Sequence, residues 1–260
     1  MAIKKKNVVL NEDGEEVMSL TDHLRELRNR IVVCVAVFVI GFVVFLGFAG
    51  TIVDMLTQMG LDSGYQFIYL SPQELMIQHL SVAGVCAVVV TVPTIAYEVY
   101  AFMAPGLKKH ANLFFIIAMV MGIICFALGV VFAHMISMPF MLKFLYGFNS
   151  TDYIQASISI QSYISFILTV YIIFGVVFEM PVISVALTQF GLLNPKWLKQ
   201  FRSVAIVGIF LVAAIITPPD IVSQIMVAIP MVMLYQISII LSELLYKFKK
   251  KKADEELDGE

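Results

Sequence analysis

The sequence predicts an all-α polytopic membrane protein, on two observations. Of 260 residues, 60% are hydrophobic and only 14% are charged, with a mean hydropathy of +0.91. Soluble domains carry nearer a quarter charged residues. The apolar residues also gather into six runs, at about 31–50, 76–99, 113–134, 161–190, 203–217 and 222–246. Each reaches or approaches the roughly 20 residues that cross a hydrocarbon core of about 30 Å. Backbone polar groups find no water there, so the runs are read as six transmembrane helices. No β-barrel alternation is visible.

Charge placement sets the expected orientation. Lys4, Lys5, Lys6, Arg25, Arg28 and Arg30 precede the first run. Lys108 and Lys109 lie between runs two and three, and Lys196, Lys199 and Arg202 between four and five. Lys247 and Lys249 to Lys252 follow the sixth, which leaves only Lys143 on the opposite side. By the positive-inside rule both termini are cytoplasmic, and segments 51–75, 135–160 and 218–221 face out. The first run is too long and too plainly followed by others to be a cleaved signal peptide. Residues 1–17 and 247–260 are charge-rich and expected as mobile tails. The basic stretch KFKKKK in the second of these reads as a membrane-surface anchor.

Run lengths and prolines predict helices that are not straight. Run four spans about 30 residues, or about 45 Å, and must tilt or kink. Run five, with about 15 residues, is short and predicts thinning of the bilayer beside it. Pro93, Pro139, Pro181 and Pro230 lie within or at the ends of expected helices, where each interior proline removes a backbone bond and bends its helix. A curved set of helices is expected. Cys34, Cys86 and Cys125 lie inside apolar runs without metal-ligand spacing and read as inert thiols.

Several polar residues stand out against this background. In HLRELRNR (23–30), Leu20, Leu24, Leu27 and Ile31 share one helical face, and His23, Glu26 and Arg30 another. The plain reading is an amphipathic lead-in helix with a Glu26–Arg30 pair at i,i+4, capped by Ser19 and Asp22. Glu98 closes run two beside Tyr97 and Tyr100, and Pro105-Gly106 marks a turn. Glu179 sits within FGVVFEMPV, where an ionisable residue faces protein or a wet cavity. Its plain reading is a carboxyl capped by interior hydroxyls such as Ser184 or Thr188. Pro72 and Pro219 suit first-turn positions, with Glu74 and Asp220 adding charge favoured by the helix dipole. Gln236 could hydrogen-bond across helices, and Glu243 is read as a surface partner of Lys247.

These motifs occur together in order: HLRELRNR, FMAPGL at 102–107, FGVVFEMPV at 174–182, TPPDIVSQ at 217–224 and AIPM at 228–231. Over about residues 18–246 the chain resembles the TatC family, the receptor subunit of the twin-arginine protein translocase. The resemblance implies a concave, cup-like six-helix membrane domain in the bacterial cytoplasmic membrane, with transport driven by the proton-motive force. It implies twin-arginine signal peptides of folded cargo as ligands, single-helix subunits of the TatA and TatB type as partners, and self-association in a larger complex. Glu26, with Arg28 and His23, would then belong to the signal-peptide site, a carboxylate being suited to accept a guanidinium through two charge-assisted bonds. Phe102, Pro105 and Leu107 shape the loop that meets the peptide. Glu179 and Gln236 would contact partner helices, and Pro72, Glu74, Pro218, Pro219, Asp220 and Gln224 would build an outer cap. The family's first cytoplasmic loop has a second glutamate where this chain, reading PGLKKHAN, has Ala111. Glu98 is the candidate to supply that carboxylate.

Other functions are less well served. No P-loop, HExxH or GxSxG is present, and the four histidines are scattered, so neither ATP hydrolysis nor a metal site is expected. No cofactor and no nucleic-acid partner is implied. A secondary transporter using Glu179 as coupling carboxylate is the main rival, but FExP and TPPD each occur once, without the internal repeat such folds carry.

Overall fold

The computed structural model describes residues 8–10, 16–18, 20–103, 109–149, 157–217 and 220–257. Helix α1 (Leu20–Asp62) and helix α2 (Glu74–Met103) form an antiparallel pair, following a short strand pair β1 (Val8–Leu10) and β2 (Glu16–Met18). Strand β3 (Gln66–Ile68) lies between them. Helix α3 (Lys109–Phe132) passes through a π-helical turn, Ala133–Ser137, into α4 (Met138–Asn149). Strand β4 (Ser157–Ser159) then leads into α5 (Ile160–Phe178) and α6 (Met180–Gln189). The short α7 (Pro195–Gln200) precedes α8 (Arg202–Ile216) and α9 (Ile221–Leu257).

Among the described residues, five helical stretches are long and apolar enough to cross a membrane. The sixth, α8, has 15 residues, or about 22 Å, as its run length predicts. The chain is thus an all-helical, multi-pass membrane protein. Several helices overrun the apolar runs. α1 continues to Asp62 because Val53 and Leu56 keep its buried stripe going. α9 continues through KFKKKKADEEL to Leu257, a stretch of mostly Lys and Glu, which favour helix. Much of the segment 135–160, expected as outer loop, is helix as far as Asn149. The π turn prepares that continuation. Pro139 has no N–H to give, and the Met138 N–H reaches back to the Ala133 carbonyl, five residues earlier.

The core is built around α5. Tyr163, Ile164, Ile167, Val170 and Phe174 are all buried, against α1, α2, α3, α8 and α9. Lipid gives helices no hydrophobic reason to associate, so close packing must do it. The α3–α5 crossing shows this. A Cβ on Gly129 would lie 2.5 Å from the Phe174 carbonyl oxygen, and one on Gly175 would lie 2.7 Å from the Phe126 ring. Run four kinks, as its length predicts, between α5 and α6. Glu179 sits at the break with φ −75° and ψ −16°, and Pro181 falls in the first turn of α6. Helix α6 ends in a Schellman turn: Gly191 adopts φ +74°, its N–H bonds the Thr188 carbonyl, and the Leu192 N–H bonds that of Leu187.

At one end of the bundle β3 and β4 pair in parallel, Phe67 opposite Ile158. The Tyr163 hydroxyl donates to the Leu56 carbonyl at 2.8 Å and Tyr65 donates to Leu142 at 3.2 Å. These bonds tie the ends of α1, α4 and α5 together.

The crossing geometry generates a prediction. Gly129→Ala meets rigid backbone and should destabilise the protein by about 1–3 kcal/mol, the usual cost of overpacking. Gly208→Ala, with open space around its Cβ, should be neutral. The unfolding midpoints of the two detergent-solubilised variants compare them directly.

Candidate functional site

At the opposite end of the α1–α2 pair, two carboxylates close on one guanidinium. Glu26 and Arg30 lie one turn apart on α1, and Arg30 Nη2 donates to Glu26 Oε1 at 2.6 Å. Glu98 stands near the end of α2, and Arg30 Nη1 donates to its Oε2 at 2.8 Å. Arg30 Nη2 also donates to the Ala101 carbonyl at 2.9 Å. The antiparallel pairing of α1 and α2 makes this possible, because it brings the start of one helix beside the end of the other. The side chains are only 15–23% exposed, so these bonds are partly shielded from water.

Two carboxylates and one guanidinium leave one negative charge. Arg25 and Arg28 are exposed and form no ion pair with another described residue. The cluster can therefore take a second cation. A planar guanidinium suits it best, because it can bridge two carboxylates as Arg30 does, whereas an ammonium is a point charge without that fork. Phe102, partly buried, lies just beyond Glu98 on the same helix. Pro105 and Leu107 lie outside the described residues, as do the side chains of His23, Asp22, Tyr100 and Ala111, and Ser19 as a whole.

Glu179 occupies a different environment. Its carboxylate packs against α3 at Gly122, where an added Cβ would lie 3.0 Å from Oε2. The hydroxyls expected to cap it do not. Ser184 donates to the Pro181 carbonyl at 3.0 Å, and Thr188 donates to that of Ser184 at 2.8 Å. Both bonds stay within α6, which satisfies carbonyls near its own proline instead. No side-chain hydrogen bond reaches Glu179 among the described residues. Beside it, a cleft of about 180 Å³ opens between α3, α6 and α9, lined by Met121, Cys125, Pro181 and Leu241. Gln236 on α9 likewise has a buried Oε1 without a hydrogen-bond partner among the described residues.

The outer residues serve as caps and ties. Glu74, buried at the start of α2, accepts from the Leu70 N–H at 3.2 Å and from the Ser159 hydroxyl at 3.3 Å. Asp220 caps α9 by accepting from the Ser223 N–H at 2.7 Å, and Gln224 Nε2 donates to the Phe210 carbonyl on α8 at 2.9 Å. Pro72 stands in the turn Ser71–Glu74, not in the first helical turn, because α2 begins only at Glu74. Pro218 and Pro219 lie outside the described residues. Glu243 pairs with Lys199 of α7 at 3.4 Å, not with Lys247, because α7 packs against α9 and brings its own ammonium closer.

Sequence reasoning paired Arg30 with Glu26 but missed its bridge to Glu98. A cation at the first step of one apolar run and an acid at the last step of the next were the available signal. It also missed His134, whose Nδ1 lies 2.6 Å from the Tyr171 hydroxyl inside the π turn. No sequence pattern announces that contact.

The comparisons with known proteins agree with one another. A family model described as Sec-independent protein translocase protein (TatC) matches residues 22–230. A protein of that name from Aquifex aeolicus is 36% identical over 90% of this chain and 98% of its own. One from Helicobacter pylori is 36% identical over 86% of this chain and 87% of its own, and the Bacillus subtilis protein named TatCy is 31% identical over 93% and 95%. The crystal structure described as that of the twin-arginine translocase receptor TatC superposes with a TM-score of 0.78 at 35% identity, covering 86% of this chain and 99% of that one. The relatives are named as translocase components, not as enzymes. With matching sequence over most of its length and the same helical arrangement, this chain belongs to the TatC family of Sec-independent protein translocase proteins.

Proposed function

We propose that this protein is the receptor subunit that captures twin-arginine signal peptides of folded cargo, and that the Glu26–Arg30–Glu98 cluster is the capture site. The observation that carries the reading is the bridging of two carboxylates by one arginine of the chain itself. Arg30 occupies the place that a guest guanidinium would take. Exchange of like for like costs little, since each charge-assisted bond lost to Arg30 is remade to the guest. Glu98 serves as the second acid, in place of the glutamate for which this chain has Ala111. Arg28, His23, Phe102, Pro105 and Leu107 are assigned to contact with the bound peptide.

The membrane-embedded surface serves assembly. Glu179, whose carboxylate accepts no hydrogen bond among the described residues, and Gln236, with an unpaired buried oxygen, each offer a polar group to a single-span partner subunit of the TatA or TatB type. Several copies assemble with those partners and membrane lipid into the translocating complex, and the proton-motive force supplies the energy. The protein sits in the bacterial cytoplasmic membrane with both termini in the cytoplasm, which puts the capture cluster and 16 of 17 Lys and Arg residues on that side.

Two experiments test this. Site-specific crosslinking of a twin-arginine signal peptide should fall on the order of tenfold in Glu98→Gln, because a charge-assisted bond is worth about 1.5–3 kcal/mol. The same peptide carrying Lys-Lys should bind weakly to the unaltered protein. Undiminished crosslinking to Glu98→Gln, or equal capture of both peptides, contradicts the assignment. Separately, Glu179→Ala should retain peptide capture but lose export of a reporter cargo and co-purification of single-span partners. Normal export and normal assembly in that variant would remove the role given to Glu179.

A further inference from the structure

A second charged feature lies on the α7–α9 side of the molecule, apart from the capture cluster. Where α7 packs against α9, an open pocket of about 590 Å³ is lined by Asn194, Lys196, Lys199, Tyr246, Lys247 and Lys251, with Glu243 in its wall. Four ammonium groups therefore surround one carboxylate. That carboxylate pairs with Lys199, and Lys196 and Lys247 form no ion pair with another described residue, so these two keep the pocket positively charged. Asn194 caps α7 by accepting from the Lys196 N–H at 3.0 Å, which fixes the start of the helix that carries two of the lysines.

The surface below the pocket identifies its occupant. Met233, Ile237, Ile240 and Leu244 are between 43% and 60% exposed and recur at steps of four and three along α9. The same steps continue to Lys247 and Lys251, so all six share one helical face. An apolar track long enough for an acyl chain thus runs straight into the lysine-lined pocket. Tyr246 and Trp197 are exposed beside it, as aromatic side chains are at the membrane–water boundary. The adjoining α8, with 15 residues, is too short for an average bilayer and draws headgroups toward this level.

The geometry points to a binding site for the phosphate headgroup of an anionic phospholipid between α7 and α9, with one acyl chain lying along the exposed stripe of α9. Phosphate is the chemistry recognised, and the apolar track selects a lipid over a soluble phosphate ester. This inference goes beyond peptide capture and does not rest on it.

Trp197 is the only tryptophan in the chain and neighbours Lys196, so its fluorescence reports the site. The full-length protein is reconstituted in phosphatidylcholine vesicles containing a minor fraction of phosphatidylglycerol with brominated acyl chains. Brominated phosphatidylcholine at the same fraction is the reference. Quenching of Trp197 should show enrichment of phosphatidylglycerol on the order of tenfold, and Lys196→Gln with Lys247→Gln should abolish it. Lys249→Gln, which alters the same basic run but a residue outside the pocket, should leave it in place. A soluble glycerol phosphate in excess should not compete. Lys196→Arg with Lys247→Arg, which keeps the charge, should retain the enrichment and shows that the fold is intact. Equal quenching by the two brominated lipids, or an equal loss in Lys249→Gln, would overturn the proposal. So would displacement by glycerol phosphate, which would reassign the pocket to a soluble ester.

Discussion

The close approach of α5 to α3 governs this structure. In hydrocarbon, apolar side chains gain nothing by leaving lipid for protein, so helices associate through packing and interhelical polar contacts. Gly129 and Gly175 remove the side chains that would hold α3 and α5 apart. Once seated, α5 buries Tyr163, Ile167 and Phe174 and gives α1, α2, α8 and α9 a common surface. The Tyr163 hydroxyl then anchors one end of α5 to the Leu56 carbonyl. The other end breaks at Glu179 under the constraint of Pro181. α5 thus sets the frame that holds the α1–α2 pair and the polar groups at its edges.

Polar groups divide into those the fold satisfies and those it leaves available. Glu74, Asp220 and Gln224 are each bonded to backbone or hydroxyl partners, although one buried oxygen of Asp220 has none among the described residues. They work as caps and ties at the ends of helices. Glu179 and the Gln236 side-chain oxygen lack such partners among the described residues. The Glu26–Arg30–Glu98 cluster stands between the two cases. All three of its side chains are hydrogen-bonded, though Arg30 Nε is buried without a partner among the described residues, and it carries one more acid than base. In the capture role we propose, Arg30 holds both acids in position and compensates one of them until a guest arrives.

The sequence alone determined the membrane class, the apolar helices, the shortness of α8, the kink near Pro181 and the i,i+4 pair of Glu26 and Arg30. Each depends on local composition or on residues within one or two turns, so each is written in adjacent residues. The ordered motifs determined the family in the same way. Helix ends were less legible. The overruns of α1, α4 and α9 depend on helix propensity and packing beyond the apolar runs, which hydropathy does not report.

Only the tertiary structure decided how distant polar residues are shared. Arg30 and Glu98 are 68 positions apart and Lys199 and Glu243 are 44 apart. Which acid meets which base depends on the pairing of α1 with α2 and of α7 with α9. Likewise, Ser184 and Thr188 were plausible partners for Glu179 by spacing, but the carbonyls of their own helix lay closer. Periodicity along a chain fixes which face of a helix a residue occupies. What stands opposite that face is set by packing between helices, and that is where the candidate capture site came into being.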